Sequence, residues 1–408
     1  MSERVAVAGK WQSLDRPLFL TTIALVGIGL LLIYSADNAL FDSAHFEKQL
    51  TFAIAGFIFM MIATIIPTRY YFALAYIVFG IAVVMLLMVP VVGVTALGAK
   101  RWISIGGFNF QPSEPAKLFF LIAAARFLSG VRPDQTERRA LIGVVLIAAL
   151  PFMLVLSQPD LGTSSLFPVI GAVLLAWWGL PLWYYLLAAM PFVAMFLGVF
   201  PWLAVPLELI GFWWMKRAGM RWLGLSLLLA LVIASTFVAA TAWSKLEPYQ
   251  QNRLTTFIDP GADPLGAGYQ IIQSKVAIGS GGVIGSGWLQ GTQTQLRFLP
   301  QQHTDFIFAL AGEEFGLWGT TSVLLLFFVY GWRGVKIATR ARSQFAGLMA
   351  IGITTITLYH AAVNIGMAIG VMPVTGIPLP FISYGGTFLM TCMVNTGILL
   401  STGIYRRE

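Results

Sequence analysis

The sequence predicts an all-α polytopic membrane protein, and three observations predict it. Hydrophobic residues make up 58% of the 408 and charged residues only 10%, with a mean hydropathy of +0.81. The apolar residues recur in unbroken runs of about 20, the length a helix needs to cross a hydrocarbon core of about 30 Å. Polar or Gly/Pro clusters separate the runs, with one long exception late in the chain. The single cysteine, Cys392, lies inside an apolar run, which excludes a disulfide framework and a Cys-based metal site.

Taken in order, the apolar windows fall at about 17–34, 47–66, 71–92, 113–129, 140–157, 163–180, 182–200, 202–214, 222–243, 317–332, 345–368 and 385–404. The first follows Arg4, Lys10 and Arg16 without a small-residue cleavage site and a soluble domain behind it, so it reads as a retained helix. The window at 202–214 is short and holds Glu208, which suits a re-entrant piece; the cluster Lys216, Arg217, Arg221 after it argues that it crosses. About 12 spans place both termini on one side. With that side cytoplasmic, the inner set runs from Arg4 through Arg69, Arg126, Arg138, Arg139, Arg333 and Arg340 to Arg407, and it holds most of the 25 basic residues. The chain thus reads as one integral membrane domain, 1–408, with a large extracytoplasmic loop at 244–316.

The basic residues left on the outer side are Lys48, Lys100, Arg101, Lys117, Lys245, Arg253, Lys275 and Arg297. Snorkelling to lipid headgroups explains any one of them as well as a binding role does. Lys117 stands apart, one turn into the fourth span and three residues after Glu114, so the two share a helix face as an intramembrane ion pair. The loop at about 93–112 carries Gly98-Ala99-Lys100-Arg101-Trp102-Ile103 and Gln111-Pro112-Ser113-Glu114-Pro115. Trp102 fits an interfacial anchor or a stacking surface for a sugar or prenyl chain. The long loop is rich in glycine between Gly279 and Gly291, a composition that suits close approach of backbone to a ligand or plain flexibility, and no Walker or dinucleotide pattern decides between them.

Among the acids, Asp263 and Asp259 are equally loop-borne, and the residues alone do not choose between them. Asp160, after Gln158-Pro159, fits a helix N-cap or a ligand contact. His303 and Asp305 open a segment with Glu313 and Glu314 that fits a packed polar network under the loop or a substrate or metal contact.

Together these motifs resemble the SEDS family (shape, elongation, division and sporulation proteins), in particular its RodA branch, over nearly the whole chain. The resemblance rests on Gly98-Ala-Lys-Arg-Trp-Ile103 with Gln111-Pro-Ser-Glu-Pro-Ala-Lys117, Gln158-Pro-Asp-Leu-Gly-Thr163, and Asp263-Pro-Leu-Gly-Ala-Gly-Tyr-Gln-Ile-Ile-Gln-Ser274. Gly291-Thr-Gln293, His303-Thr-Asp-Phe-Ile-Phe308 and Pro378-Leu-Pro-Phe-Ile-Ser-Tyr-Gly-Gly386 complete it. The Gly-Thr-Gln element and the short polar N-terminus look more like the elongation member than the division member, FtsW.

The resemblance implies a SEDS-like helical bundle and an inverting peptidoglycan glycosyltransferase that polymerises lipid II at the outer face of the cytoplasmic membrane during cell elongation. It implies Asp263 as general base, and a class B penicillin-binding protein (a transpeptidase) and other elongation-complex proteins as partners; no nucleic-acid partner is expected. Arg101, Trp102, Glu114, Lys117, Asp160, Arg253, Lys275 and His303 are the expected substrate contacts, with a divalent cation, Mg or Mn, as a possible helper. The chain departs from the family core of ten spans at 182–243, which holds two apparent extra helices with Trp213, Trp214 and Trp222 near their ends. A lipid II flippase using Glu114 and Lys117 is the rival function, and a scaffold for the transpeptidase a third. The outer loops hold no Ser-x-x-Lys domain, so crosslinking falls to another chain.

Overall fold

The computed structural model describes residues 13–40, 44–96, 99–106, 108–131, 137–182, 184–185, 213, 216–217, 267–296, 298 and 302–405. The chain divides into two units, Met1–Trp178 with Asp259–Glu408, and Gly179–Ile258. The second, which contains the whole of the 182–243 region, lies almost entirely outside the described residues.

The first unit begins with α1 (Arg16–Leu40), α2 (Ala44–Ile65), α3 (Thr68–Val92), three short strands β1 (Val94–Ala96), β2 (Ala99–Ile105) and β3 (Phe108–Phe110), then α4 (Ser113–Ser129), α5 (Glu137–Leu156), α6 (Leu161–Ser164) and α7 (Leu166–Trp178). After the insertion come α8 (Ala267–Ser280), α9 (Thr292–Gln295), α10 (Ile307–Arg340), α11 (Gln344–Ala368) and α12 (Gly386–Ile404). Eight candidate spans among the described residues are long and apolar enough to cross a membrane, α6 and α7 counting as one. Helices are the expected form, because each backbone N–H and C=O is then satisfied inside its own segment. The expected spans at 182–200, 202–214 and 222–243 lie outside the described residues.

α4 is shorter than these spans and carries Glu114, Lys117 and Arg126, yet most of it is buried. It packs against α3, α5, α7 and α11, so Glu114 and Lys117 face protein rather than lipid. α11 is the other central helix, in contact with α4, α7, α10 and α12. The most extensive pairing among the described helices joins α2 to α12. Small residues permit it, as in many membrane bundles: a methyl group on Gly56 would sit 2.7 Å from the Met393 sulfur, and one on Gly397 would run into the Met60 carbonyl.

Two features depart from the expected all-α chain with long loops. The 93–112 segment is a small antiparallel sheet in the order β1-β2-β3, with Val94 opposite Trp102 and Ile103 opposite Phe110. Gly106, at φ +58°, supplies the left-handed residue that the turn between β2 and β3 needs. The sheet lies outside the membrane helices, and Thr387 at the start of α12 ties to it by donating to the Asn109 carbonyl at 3.2 Å.

The second departure is in the Gly-rich stretch. α8 leads into it, and α10 begins at Ile307, ten residues before the apolar run that suggested a span. α10 is kinked at Gly316 (φ +62°, ψ −154°). There the glycine turn packs directly on the helix: the amides of Ser286 and Gly287 donate to the carbonyls of Glu313 and Glu314 at 2.9 and 3.0 Å, and Leu317 N donates to the Gly282 carbonyl at 3.0 Å. The glycines allow chain to approach chain, since a methyl group at Gly285 would overlap the Glu314 backbone.

Candidate active site

Lys117 occupies the first turns of α4, fully buried beside Glu114. Its Nζ donates to both Glu114 oxygens, at 2.9 and 2.8 Å, and lies 2.9 Å from His360 Nε2 on α11. The expected ion pair is therefore a triad. The three ammonium hydrogens each have an acceptor, which requires Nε2 of His360 to be unprotonated and places its ring proton on Nδ1. The Phe388 ring closes the site, with its centroid 5.7 Å from Nζ and 5.0 Å from the His360 ring. A lone ammonium in this apolar interior would be costly; paired and fully hydrogen-bonded, it is tolerated.

Arg101 on β2 reaches across to the entrance of α6. Its Nε donates to the Gln158 carbonyl at 3.2 Å, Nη2 donates to the Pro159 carbonyl, and Nη1 stands 3.9 Å from Asp160 Oδ2. Asp160 is the N-cap of α6, accepting from Thr163 N at 3.1 Å. The Gln158-Pro-Asp motif and the strand motif thus form one hydrogen-bonded unit at the sheet end of the bundle. Neighbouring Trp102 is half-buried on the same strand.

Lys275 lies elsewhere, exposed on α8. Its Cε and Nζ cover Gly370, at the carboxyl end of α11, so closely that a methyl group there would collide with them. Ser274 beside it donates to the Ala368 carbonyl at 2.7 Å. A cation at a helix carboxyl end is favoured by the helix dipole, which gives Lys275 a structural reason to be there. His360 lies eight residues before the end of α11 at Ala368, a rise of about 12 Å along the helix.

His303 joins a third cluster. Its ring is 4.5 Å from that of His45 and 5.6 Å from Tyr384, while His45 Nδ1 is 2.9 Å from Asp37 Oδ1. Asp37 is buried and also accepts from Phe46 N at 2.6 Å. Burial, and after it the neighbouring His45, push the His303 pKa down to about 4, with Asp37 opposing. His303 is therefore neutral near pH 7 and offers no positive charge to a phosphate. Its segment is pinned to the Pro378–Gly386 motif: Tyr384 N donates to the His303 carbonyl at 2.9 Å, Ser383 Oγ to the Thr304 carbonyl at 2.6 Å, and Asn364 to the carbonyls of Asp305 and Ile377.

Glu313 and Glu314 serve the loop. Glu313 accepts from Gln293 N (2.6 Å), Thr294 N (3.1 Å) and Thr294 Oγ1 (2.7 Å), while Glu314 accepts from Ser35 and from Leu289 N. Asp263, Arg253 and Asp259 lie outside the described residues. His360, Asp37 and His45 were not singled out from the sequence, and Tyr384 only as part of the Pro378–Gly386 motif. His360 had a usable signal, a titratable side chain in the middle of an apolar span.

Fold and site define a class: a polytopic helical membrane protein with a buried Glu-Lys-His triad and a motif-bearing sheet at one end. The chain belongs to the cell cycle protein family of FtsW, RodA and SpoVE, whose model matches residues 16–217 and 203–408. It is 37% identical over 394 residues to the peptidoglycan glycosyltransferase MrdB of Escherichia coli K12, covering 97% of this chain and 94% of that one. It is 34% identical to the peptidoglycan glycosyltransferase RodA of Treponema pallidum, covering 95% and 96%, and 34% identical to stage V sporulation protein E of Bacillus subtilis, covering 98% and 99%. Among solved structures, a chain from a peptidoglycan synthase complex superposes with a TM-score of 0.74 at 29% identity, covering 97% of this chain and 99% of that one. Thermus thermophilus RodA shares the fold, with a TM-score of 0.65 at 24% identity and coverage of 98% and 99%.

Proposed function

We propose that this protein is a peptidoglycan glycosyltransferase that polymerises lipid II, and that it is the elongation member of its family. The observation that carries the reading is the end-to-end likeness to two such enzymes, MrdB and RodA, at 37% and 34% identity. The triad supports it: all three ammonium hydrogens of Lys117 are engaged inside the protein, an arrangement suited to a fixed site and less to a translocation path.

In the proposed reaction the acceptor's 4-hydroxyl attacks the donor's anomeric carbon, and the bond to the lipid pyrophosphate breaks. Asp263 takes the hydroxyl proton as general base, and inversion at one centre needs no covalent sugar intermediate. Pro264 biases Asp263 to extended backbone, and Gly266 and Gly268 leave space beside it. Arg101, Arg253 and Lys275 supply positive charge for the lipid pyrophosphates of the two substrates. Trp102 offers a stacking face. Glu114 and Lys117 are positioning residues held by His360, Asp160 orients Arg101 and the entrance of α6, and neutral His303 shapes the loop rather than binding charge. Among the described residues no three His, Cys, Asp or Glu converge as metal ligands. A divalent cation, Mg or Mn, would neutralise the substrate phosphates if it takes part.

The full chain then has about 12 spans, the eight candidate spans described above, the shorter α4 and three at 182–243, with both termini cytoplasmic and the sheet end outside. Among the described residues Arg16, Arg69, Arg126, Arg138, Arg139, Arg333, Lys336, Arg340 and Arg342 all fall at the helix ends opposite the sheet, which supports that orientation. The partner is a class B penicillin-binding protein, which supplies crosslinking. The test is to supply purified protein and this partner with labelled lipid II in vesicles. Glycan polymer with release of undecaprenyl pyrophosphate supports the enzyme. Lipid II that crosses the bilayer unpolymerised would establish the flippase instead.

A further inference from the structure

At the basic end of the bundle, opposite the sheet, a cavity of about 780 Å³ opens between the first turns of α3, the end of α4 and the starts of α5 and α11. Three arginines line it, Arg69, Arg126 and Arg139, and among the described residues none of them makes an ion pair. Its apolar wall is aromatic: Phe72, Tyr76 and Phe127. Arg126 is preassembled against that wall. Its guanidinium stacks 4.8 Å from the Phe72 ring and 4.6 Å from the Tyr76 ring, and Nη1 donates to the carbonyls of Phe72 and Ala73 at 2.8 and 3.0 Å. Arg69 and Arg139 are exposed at the rim, and α3 shows Phe72 and Tyr76 to the outside.

The cavity therefore joins two environments. One side is cationic and polar, at the helix ends; the other is aromatic and runs along the exposed side of α3. A soluble anion would use the first and leave the second empty. An apolar chain would use the second and leave the arginines without counter-ions. Basic pockets between helix ends are suited to anionic headgroups, and the volume lies within the range of about 300–1,000 Å³ usual for ligand sites.

We propose that this cavity is a binding site for an anionic phospholipid of the adjoining leaflet, its phosphate held by Arg69 and Arg139 and its acyl chain lying along Phe72 and Tyr76. Arg126 forms the floor and joins α3 to α4. The lipid would seal the junction of α3, α4, α5 and α11, and two of these helices, α4 and α11, carry Lys117 and His360. The proposal is independent of the glycosyltransferase reading.

The test titrates the purified full-length protein in neutral detergent with phosphatidylglycerol, phosphatidylcholine and inorganic phosphate, counting bound lipid by native mass spectrometry. One variant is Arg69→Gln with Arg139→Gln, which leaves Arg126 intact. The control is Arg138→Gln with Arg342→Gln, which removes two exposed cations from the same end outside the cavity lining. At about fivefold per arginine near an anionic headgroup, the cavity pair should weaken phosphatidylglycerol binding about 25-fold, and the control pair much less. Binding of wild type should weaken with added salt and be little affected by inorganic phosphate. A photoactivatable phosphatidylglycerol should label the first two turns of α3 in wild type, a readout that does not depend on any variant folding. Equal weakening by both pairs would assign the effect to diffuse surface charge and overturn the site. So would equal affinity for phosphatidylcholine, displacement by inorganic phosphate, or labelling away from α3.

Discussion

Lys117 holds three acceptors at 2.8 to 2.9 Å inside a helix bundle, and that arrangement fixes what its replacement should do. Lys117→Met leaves the Glu114 carboxylate buried without its counter-charge, a loss of about 3–5 kcal/mol for breaking a buried pair. We predict a clear fall in the thermal midpoint in detergent and loss of polymerisation. Adding Glu114→Gln to Lys117→Met should return much of the stability, since removing both charges of a buried pair is often nearly neutral, while activity stays lost if the triad positions the site. His303 gives a pH prediction. Its pKa is pushed down to about 4 from an ordinary 6.5, so the unfolded chain binds the extra proton between those values. Stability therefore rises with pH across that window: it is fully present above about 6.5 and falls away as pH drops toward 4. His303→Gln should flatten the dependence of the thermal midpoint on pH in that range. At this scale the sequence was partly legible. Glu114 and Lys117 were readable as a pair because a three-residue spacing on a helix brings side chains together. His360 was not, because its partner is 243 residues away and only packing brings α11 to α4.

Among the elements, α10 is where sequence and structure differ most. An apolar window located its membrane part, but the kink at Gly316 and the ten residues before it depend on backbone contacts with the Gly282–Gly287 turn that no local pattern encodes. Gly316→Ala should be destabilising by at least about 1–3 kcal/mol, the usual penalty for a side chain in a Gly-only backbone region, with further cost from the overlap with the Gly285 amide. Gly27→Ala, whose added methyl meets nothing within 4 Å, should be close to neutral in the same thermal assay. The strands at 94–110 were missed for a different reason. They are short, and their hairpin signal, Gly106-Gly107 between Ile103-Ser-Ile105 and Phe108-Asn-Phe110, is overshadowed by a family motif that reads as a loop. Apart from α10, the spans among the described residues were legible to within a few residues, because the bilayer demands length and apolarity and little else.

For the whole molecule, the balance of basic residues between the two ends supports an orientation that labelling can check. The natural Cys392 is buried, so it should stay silent in such an experiment. In intact cells, Lys100→Cys at the sheet end should react with a membrane-impermeant maleimide, whereas Arg138→Cys should react only after permeabilisation. The reverse pattern would invert the topology and move the motif-bearing face to the cytoplasm, where the proposed reaction has no place. In the proposed reaction the general base is Asp263, which the resemblance selected over Asp259 and the residues alone did not. The most direct measurement is the initial rate of glycan formation from lipid II, with the transpeptidase partner present, for Asp263→Asn and Asp259→Asn at matched thermal stability. The account predicts a loss of about 10²-fold or more for Asp263→Asn, in line with removal of a general base, and a rate near wild type for Asp259→Asn. Full activity in a folded Asp263→Asn protein would contradict it.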